Sequence, residues 1–353
     1  MKKIFALLLT LALLVPLTAC KYEIPKGENE PPLDGPIESY EAPSGGNGTV
    51  RIMAMTGPTG MGLAELMHND KAGSGNGLDY SVELVSSPDQ VIPAFVQGNV
   101  DIAAVPINLA SVLYAKTNGG VKIICANTLG VLYMLENGDS VKSVADLRGK
   151  TIYAPNPGST PEYILRYVLK ENGIDPDKDV TLEFLTGGDE VAAKLASTPG
   201  AVGMLPEPKK SAFLSTNTQF RVALDMTEEW NKVAGEGNKL VQGVFVAAAT
   251  FADEMDWAVR TFMEDYNRSQ SFVNTNELGA EYVVEAGIIP KAPLAKKAIP
   301  GCNITFLDGQ AMKDAVTKCL QVLFDANPAS IGSAMPSDDI FYIEEAPAMP
   351  DED

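Results

Sequence analysis

The feature that most constrains this chain is a pattern that returns after one hundred residues. Val50-Arg51-Ile52-Met53-Ala54-Met55 is an apolar run suited to a buried strand, and Leu63-Ala64-Glu65-Leu66-Met67 suits a helix. Between them lies Thr56-Gly57-Pro58-Thr59-Gly60-Met61-Gly62, a strand-to-helix turn. One hundred residues on, Ile152-Tyr153-Ala154 falls under Ile52-Met53-Ala54, and Pro157-Gly158-Ser159-Thr160-Pro161 opens a helix from Glu162 to Leu169. The register then holds. Residues 81–86 align with 181–186, Asp89 and Val91 with Asp189 and Val191, and Ala103-Ala104-Val105-Pro106 with Gly203-Met204-Leu205-Pro206. Two copies of a β-turn-α-β-α-β unit imply two similar α/β lobes, each with loops at the carboxyl ends of its strands, where open parallel sheets bind ligands.

The turn at 56–62 is a candidate ligand cradle. Its glycines let the backbone approach a guest, and the first free N–H groups of the helix point toward it. It is neither a dinucleotide fingerprint nor a P-loop, so an ordinary βα loop is the alternative.

At the amino terminus, Met1-Lys2-Lys3 and the apolar stretch Ile4–Leu17 have the charged and hydrophobic regions of a secretory signal, too short to span a bilayer comfortably. Leu17-Thr18-Ala19-Cys20 resembles the lipobox of bacterial lipoproteins, which implies that Cys20 is diacylated and becomes the new amino terminus. Residues 21–48 hold prolines, glycines and acids with few large apolar side chains, the composition of a flexible tether.

Removal of residues 1–19 from the 353 leaves a chain long enough for two domains, and 45% hydrophobic residues supply two cores. The net charge of −19 argues against nucleic acid and gives anions no long-range attraction. Beyond Cys20 the cysteines are Cys125, Cys302 and Cys319, read as buried thiols, with a Cys302–Cys319 bridge as the alternative. His68 is the sole histidine, expected at a helix carboxyl end, so histidine-based triads and the usual zinc sites lack support. No cofactor, metal site or catalytic residue is expected. Acid pairs Asp338-Asp339 and Glu344-Glu345 read as a solvated tail.

Residues 88–98 read as a short amphipathic helix, 99–106 as a buried strand and 108–116 as the next helix. With its Gly98-Asn99-Val100-Asp101-Ile102-Ala103 segment, this succession resembles the first lobe of the type II periplasmic-binding fold. Ser143-Val144-Ala145-Asp146-Leu147-Arg148-Gly149-Lys150 is similar to the segment that opens the second lobe, and Leu205-Pro206-Glu207-Pro208 to a second-lobe strand end. The chain is identified as resembling ABC-importer solute-binding proteins, in the nitrate/sulfonate/taurine and thiamine-precursor group. The cysteine-rich motif of the enzymatic branch is missing.

The resemblance implies an α/β protein of two lobes joined by a two-crossing hinge. Lobe 1 comprises 49–127 and 243–353, lobe 2 comprises 128–242, and helices over 256–266 and 308–324, the latter capped by Asp308, pack on lobe 1. The cleft-facing set is then Thr56, Gly57, Pro58, Thr59, Gly60, Met61, Ser86, Asn108, Leu109, Thr128, Leu129, Ser159, Thr160 and Glu207. With no Lys or Arg in either turn, an anion would rely on helix amino termini and hydroxyls, while a free buried Glu207 would favour a donor-rich or cationic group. The expected ligand is a neutral or mixed-charge organic molecule, aminopyrimidine-like or a sulfonate. The implied partners are an ABC permease and its ATPase, with a membrane sensor or an enzyme on the same fold as alternatives.

Overall fold

The computed structural model describes residues 48–71, 78–87 and 90–343. The signal segment, Cys20, the tether up to residue 47 and the acids Glu344 and Glu345 lie outside the described residues. Strands with apolar faces alternate with helices in chain order: β1 (Thr49–Met55), α1 (Pro58–Met61), α2 (Ala64–Lys71), β2 (Asp79–Val85), α3 (Val91–Val96), β3 (Ile102–Pro106), α4 (Ile107–Lys116) and β4 (Val121–Leu129). The second set is β5 (Leu132–Asn137), β6 (Thr151–Pro155), α5 (Thr160–Glu171), β7 (Thr181–Leu185), α6 (Gly188–Ser197), β8 (Val202–Pro206), α7 (Lys209–Thr216), β9 (Phe220–Asp225) and α8 (Met226–Val233). The chain then runs through β10 (Val241–Ala248), α9 (Ala249–Glu254), α10 (Asp256–Thr275), α11 (Gly279–Glu285), α12 (Ala292–Ala298), β11 (Ile304–Leu307) and α13 (Gly309–Ala326).

The strands form two sheets, ordered β11-β4-β10-β3-β1-β2 and β7-β6-β8-β5-β9. The hundred-residue repeat is present in their register. Ile52 pairs with Val82 and Ile102, and Ile152 pairs in parallel with Leu182 and Val202. Even the turns correspond: Thr56 N–H donates to Val85 O at 2.8 Å, and Asn156 N–H to Leu185 O at 2.8 Å. In each sheet the repeated three parallel strands are joined by an antiparallel strand, β10 or β5.

The chain leaves the first sheet through Gly130-Val131 and returns through Leu240-Val241. These crossings touch. Val241 pairs with Leu129, and Val131 N–H donates to Gln242 Oε1 at 2.6 Å. Only glycine fits at 130, where a Cβ would lie 2.2 Å from Thr227 Oγ1 and 2.7 Å from Leu240 Cδ2. An apolar cluster containing Phe245, Phe262 and Tyr266 in the first lobe continues through Trp230 and Ile164 into the second. Within the first sheet, Asp101 is fully buried and ties β1 to the start of β3, accepting from Arg51 N at 2.7 Å and Nε at 3.1 Å.

Several local expectations shift. The helix expected after the first turn is α2, while the turn itself holds the short α1, and α10 extends to Thr275 because its buried face continues through Ser269 and Val273. Asp308 occupies the cap position of α13 without a side-chain capping bond. Asp338 and Asp339 are exposed and solvated as expected, but the segment that carries them is not a loose tail: Lys313 Nζ approaches Asp338 at 2.7 Å, and Tyr114 Oη donates to Asp339 at 2.6 Å. Apolar anchors explain this, since Ile331 and Ile340 are fully buried and Tyr342 N–H bonds Ile123 O. Cys125, Cys302 and Cys319 are buried free thiols, and burial pushes Cys319 up to about 12. His68 lies in the last turn of α2, stacked on Tyr282 at 3.9 Å and 2.8 Å from Glu285.

The buried Glu136 predicts an acid limit to stability. Burial alone would raise its carboxyl, but bonds from Val141 N–H, Ser140 and the Arg221 guanidinium outweigh it and hold it below the ordinary value of 4.5. Hydrogen bonds likewise depress Asp146, Asp256 and Asp339. Groups shifted this way stabilise the fold above their unfolded pKa and lose that contribution as pH falls through the folded value. The melting temperature should therefore hold from pH 7 to about 5 and fall below about 4.5, with a shallower fall in Glu136→Gln. Thermal melts between pH 7 and 3 check this.

Candidate functional site

The turns at the carboxyl ends of the parallel strands carry the candidate site. In lobe 1, Gly57 has φ 106°, which disfavours any side chain, and a Cβ on Gly60 would lie 2.7 Å from Met55 O. These two glycines let α1 fold back over the end of β1. Because Met55 pairs with Val85, exposed Thr56 and Ser86 sit side by side at the sheet's end. Pro58 occupies the first turn of α1, where its missing N–H leaves no bond unmade, and Thr59 Oγ1 donates to Met55 O at 3.3 Å.

Thr59 also meets the crossing. A Cβ on Gly243 would lie 2.4 Å from Thr59 Cγ2, 2.5 Å from Asn127 Oδ1 and 3.1 Å from Thr128 Cβ, so β1's turn and β4's end converge on one glycine of β10. Thr128 is buried and its Oγ1 donates to Asn127 Oδ1 at 2.9 Å. Asn127 Nδ2 is buried and has no hydrogen-bond partner among the described residues, leaving two donor hydrogens unused. Sequence reasoning missed Asn127. Its signal was an amide closing the otherwise apolar run Ile123-Ile124-Cys125-Ala126 just before the crossing.

In lobe 2, Ser159 caps α5 by position while its hydroxyl donates to Asn156 O. The following helices close their own turns: Gly158 N–H bonds Glu162 at 2.7 Å, and Thr186 N–H bonds Glu190 at 3.1 Å. Thr160 and Ile107 line a void of about 10 Å³ with Trp230, Leu240 and Val241, which brings the first turn of α5 against that of α4. Asn108, half-buried, lies inside that α4 turn and does not cap it, since Pro106 holds the cap position.

Three candidates do not face open cleft. Met61 is fully buried in an apolar cluster with Ile299, Cys302 and Ile304, and Leu109 is packed in the main core. Both follow from apolar side chains whose helix faces meet distant segments. Glu207 is buried and engaged by its own lobe: Oε1 is 2.6 Å from Lys210 Nζ and 2.8 Å from Ser211 Oγ, and Oε2 accepts from Ser211 N–H. It therefore makes no demand for a cationic guest. Leu129, half-buried, gives its N–H to Asn303 O at 3.0 Å.

The remaining donors are neutral hydroxyls, amides and backbone N–H groups. At the edge of lobe 2, Lys209 is paired with Asp189 at 2.5 Å, and its side chain passes close to Gly188 at the start of α6. Among the described residues no cluster of His, Cys, Asp and Glu could hold a metal ion, and no helix is long and apolar enough to cross a membrane. A groove of about 680 Å³ between α5 and α13, lined by Arg166, Tyr167 and Lys318, lies outside the set of turns.

Several solved structures share this fold. An ABC transporter structure from Parabacteroides distasonis is 21% identical with a TM-score of 0.70, covering 84% of this chain and 99% of that one. The periplasmic aliphatic sulphonate binding protein SsuA from Escherichia coli is 16% identical with a TM-score of 0.64, covering 85% and 95%. A sulfonate-binding SsuA from Methylobacillus flagellatus is 17% identical with a TM-score of 0.59, covering 81% and 88%. At such identities the likeness shows the fold. A comparison with curated proteins gives no match. The model of a family described as the ABC transporter, phosphonate, periplasmic substrate-binding protein matches residues 73–278. That match runs from before β2 through α10, takes in all five strands of the second sheet and four of the six strands of the first, and exceeds half of the chain, so the chain belongs to this family of ABC-transporter periplasmic substrate-binding proteins.

Proposed function

We propose that the protein captures a small organic oxyanion, of the phosphonate or sulfonate class, between its two lobes and presents it to an ABC permease. The observation that carries this reading is the convergence of Thr59, Asn127 and Thr128 on Gly243, with the Asn127 amide left without an acceptor. An oxyanion offers acceptors, and the turns offer donors. Hydroxyls of Thr56, Ser86 and Thr160, the Asn108 amide and the first N–H groups of α4 and α5 supply the rest, while the Thr59 and Ser159 hydroxyls, whose hydrogens go to Met55 O and Asn156 O, shape the two turns. The expectation of a cationic or aminopyrimidine guest rested on a free Glu207, and that carboxylate is already satisfied by Lys210 and Ser211.

Lobe 1, 49–127 with 243–353, and lobe 2, 128–242, would open and close about the paired crossings. Binding and release of the ligand are the whole of the activity that this reading assigns. Lipid on Cys20 would hold the protein at the outer face of the cell membrane, with 20–48 as its tether. Cys20→Ala should move the protein from the membrane fraction to the soluble fraction, a nearly complete redistribution read by cell fractionation. Unchanged membrane association removes the anchor from the account.

The ligand class is tested by thermal unfolding with phosphonates, alkanesulfonates, phosphate, sulfate and aminopyrimidines. A ligand at about 100 times its Kd adds about 2.7 kcal/mol of stability. A shift with phosphonates or sulfonates supports the reading, and a shift confined to aminopyrimidines overturns the ligand class.

A further inference from the structure

We infer that Tyr133, Glu207 and Lys210 of lobe 2 seat on Gly301 of lobe 1 as a clasp that favours the closed arrangement before any ligand arrives. The lobe 2 half is a preformed polar knob. Lys210 Nζ lies 2.6 Å from Glu207 Oε1 and 4.2 Å from the centre of the Tyr133 ring, with the Glu207 side chain fully buried. Ser211 supplies two further hydrogen bonds to the carboxylate. The knob's charges are thus paired within their own lobe, and separation of the lobes would hydrate them without leaving either unpartnered.

The lobe 1 half is a socket of bare backbone. Tyr133 Oη donates to Gly301 O at 2.8 Å, and Ser211 Oγ reaches Lys297 O at 3.4 Å. A Cβ on Gly301 would lie 2.5 Å from Glu207 Oε1, 3.1 Å from Glu207 Cγ and 3.0 Å from Lys210 Nζ. The glycine backbone therefore covers the ion pair directly, and any side chain there meets groups pinned by three bonds. The same socket supports the ligand turn, because Ile299 and Cys302 on either side of Gly301 share an apolar cluster with Met61 of α1. Opening the clasp would loosen the surface on which α1 rests.

This inference rests on the hinge-closure reading of the function, and it sets apparent affinity through the fraction of closed protein rather than through contact with ligand. The residues of the clasp are positioning residues. The test is electron–electron distance measurement on the full chain, ligand-free, with nitroxides at Ser197→Cys in lobe 2 and Glu277→Cys in lobe 1, both exposed. Tyr133→Phe removes one buried hydrogen bond and should shift the closed-to-open ratio roughly tenfold toward longer distances. Gly301→Ala should remove the short-distance population. Distance distributions unchanged in a folded Tyr133→Phe protein overturn the clasp, whatever becomes of Gly301→Ala. Because no ligand is added, failure of the ligand panel leaves this result standing, and failure here leaves the ligand class untouched.

Discussion

Trp230→Ala is expected to lower the unfolding free energy by about 3–5 kcal/mol, a range set by loss of a fully buried indole plus the cavity it leaves. Trp230 is 1% exposed and packs on Tyr167 with ring centres 4.7 Å apart. Its indole N–H also donates to Asn238 O at 2.9 Å, a bond that alanine cannot make. The neighbours decide how much the site can collapse: Leu240 and Val241 of the crossing, Ile107 of α4 and Leu323 of α13 already surround a small void there. These belong to different lobes and cannot all relax toward one gap. Against a total stability of about 5–15 kcal/mol, the loss is large. Urea unfolding checks it, and a change under about 1 kcal/mol would show that the junction repacks freely.

Gly243→Ala is expected to weaken ligand capture by at least about tenfold while costing about 1–3 kcal/mol of stability, the range for overpacking a filled site. Its Cβ would lie 2.4 Å from Thr59 Cγ2 and 2.5 Å from Asn127 Oδ1, distances that force the β1 turn away from the crossing. Any ligand held by both is then held by one. Thr59→Ser, which deletes the crowding methyl, should recover part of the affinity in the Gly243→Ala background. Calorimetric titration of the single and double variants with the ligand found by thermal shift provides the check. Equal affinity in Gly243→Ala and the parent protein would place the ligand elsewhere.

The sequence made the two sheets legible because the repeat carries both spacing and register. Ile52 and Ile152 each sit on the middle strand of a parallel three-strand unit, with partners 30 and 50 residues ahead in each case. It did not show β5, β9 or β11, whose pairing is antiparallel and set by the crossings rather than by the repeat. Side-chain roles depended on contacts far apart in the chain. Lys210 and Ser211 stand three and four residues after Glu207, where helical spacing allows them to reach its carboxylate, but the cover supplied by Gly301 comes from ninety-four residues away. Met61 looked like part of an open turn, yet its side chain meets Ile299 and Ile304. The value of Asn127 lies in a bond it does not make, which no sequence pattern records.

The central claim is that an oxyanion is held where the β1 turn meets the hinge crossing. Isothermal titration of the parent protein and of Asn127→Asp with a phosphonate and sulfonate series tests it most directly. A carboxylate at 127 adds negative charge and removes the unused donors, so the account predicts saturable one-site binding in the parent and at least about a hundredfold loss in Asn127→Asp, the effect of turning a favourable buried polar contact into a repulsive one. Binding of equal strength in a folded Asn127→Asp protein would contradict it.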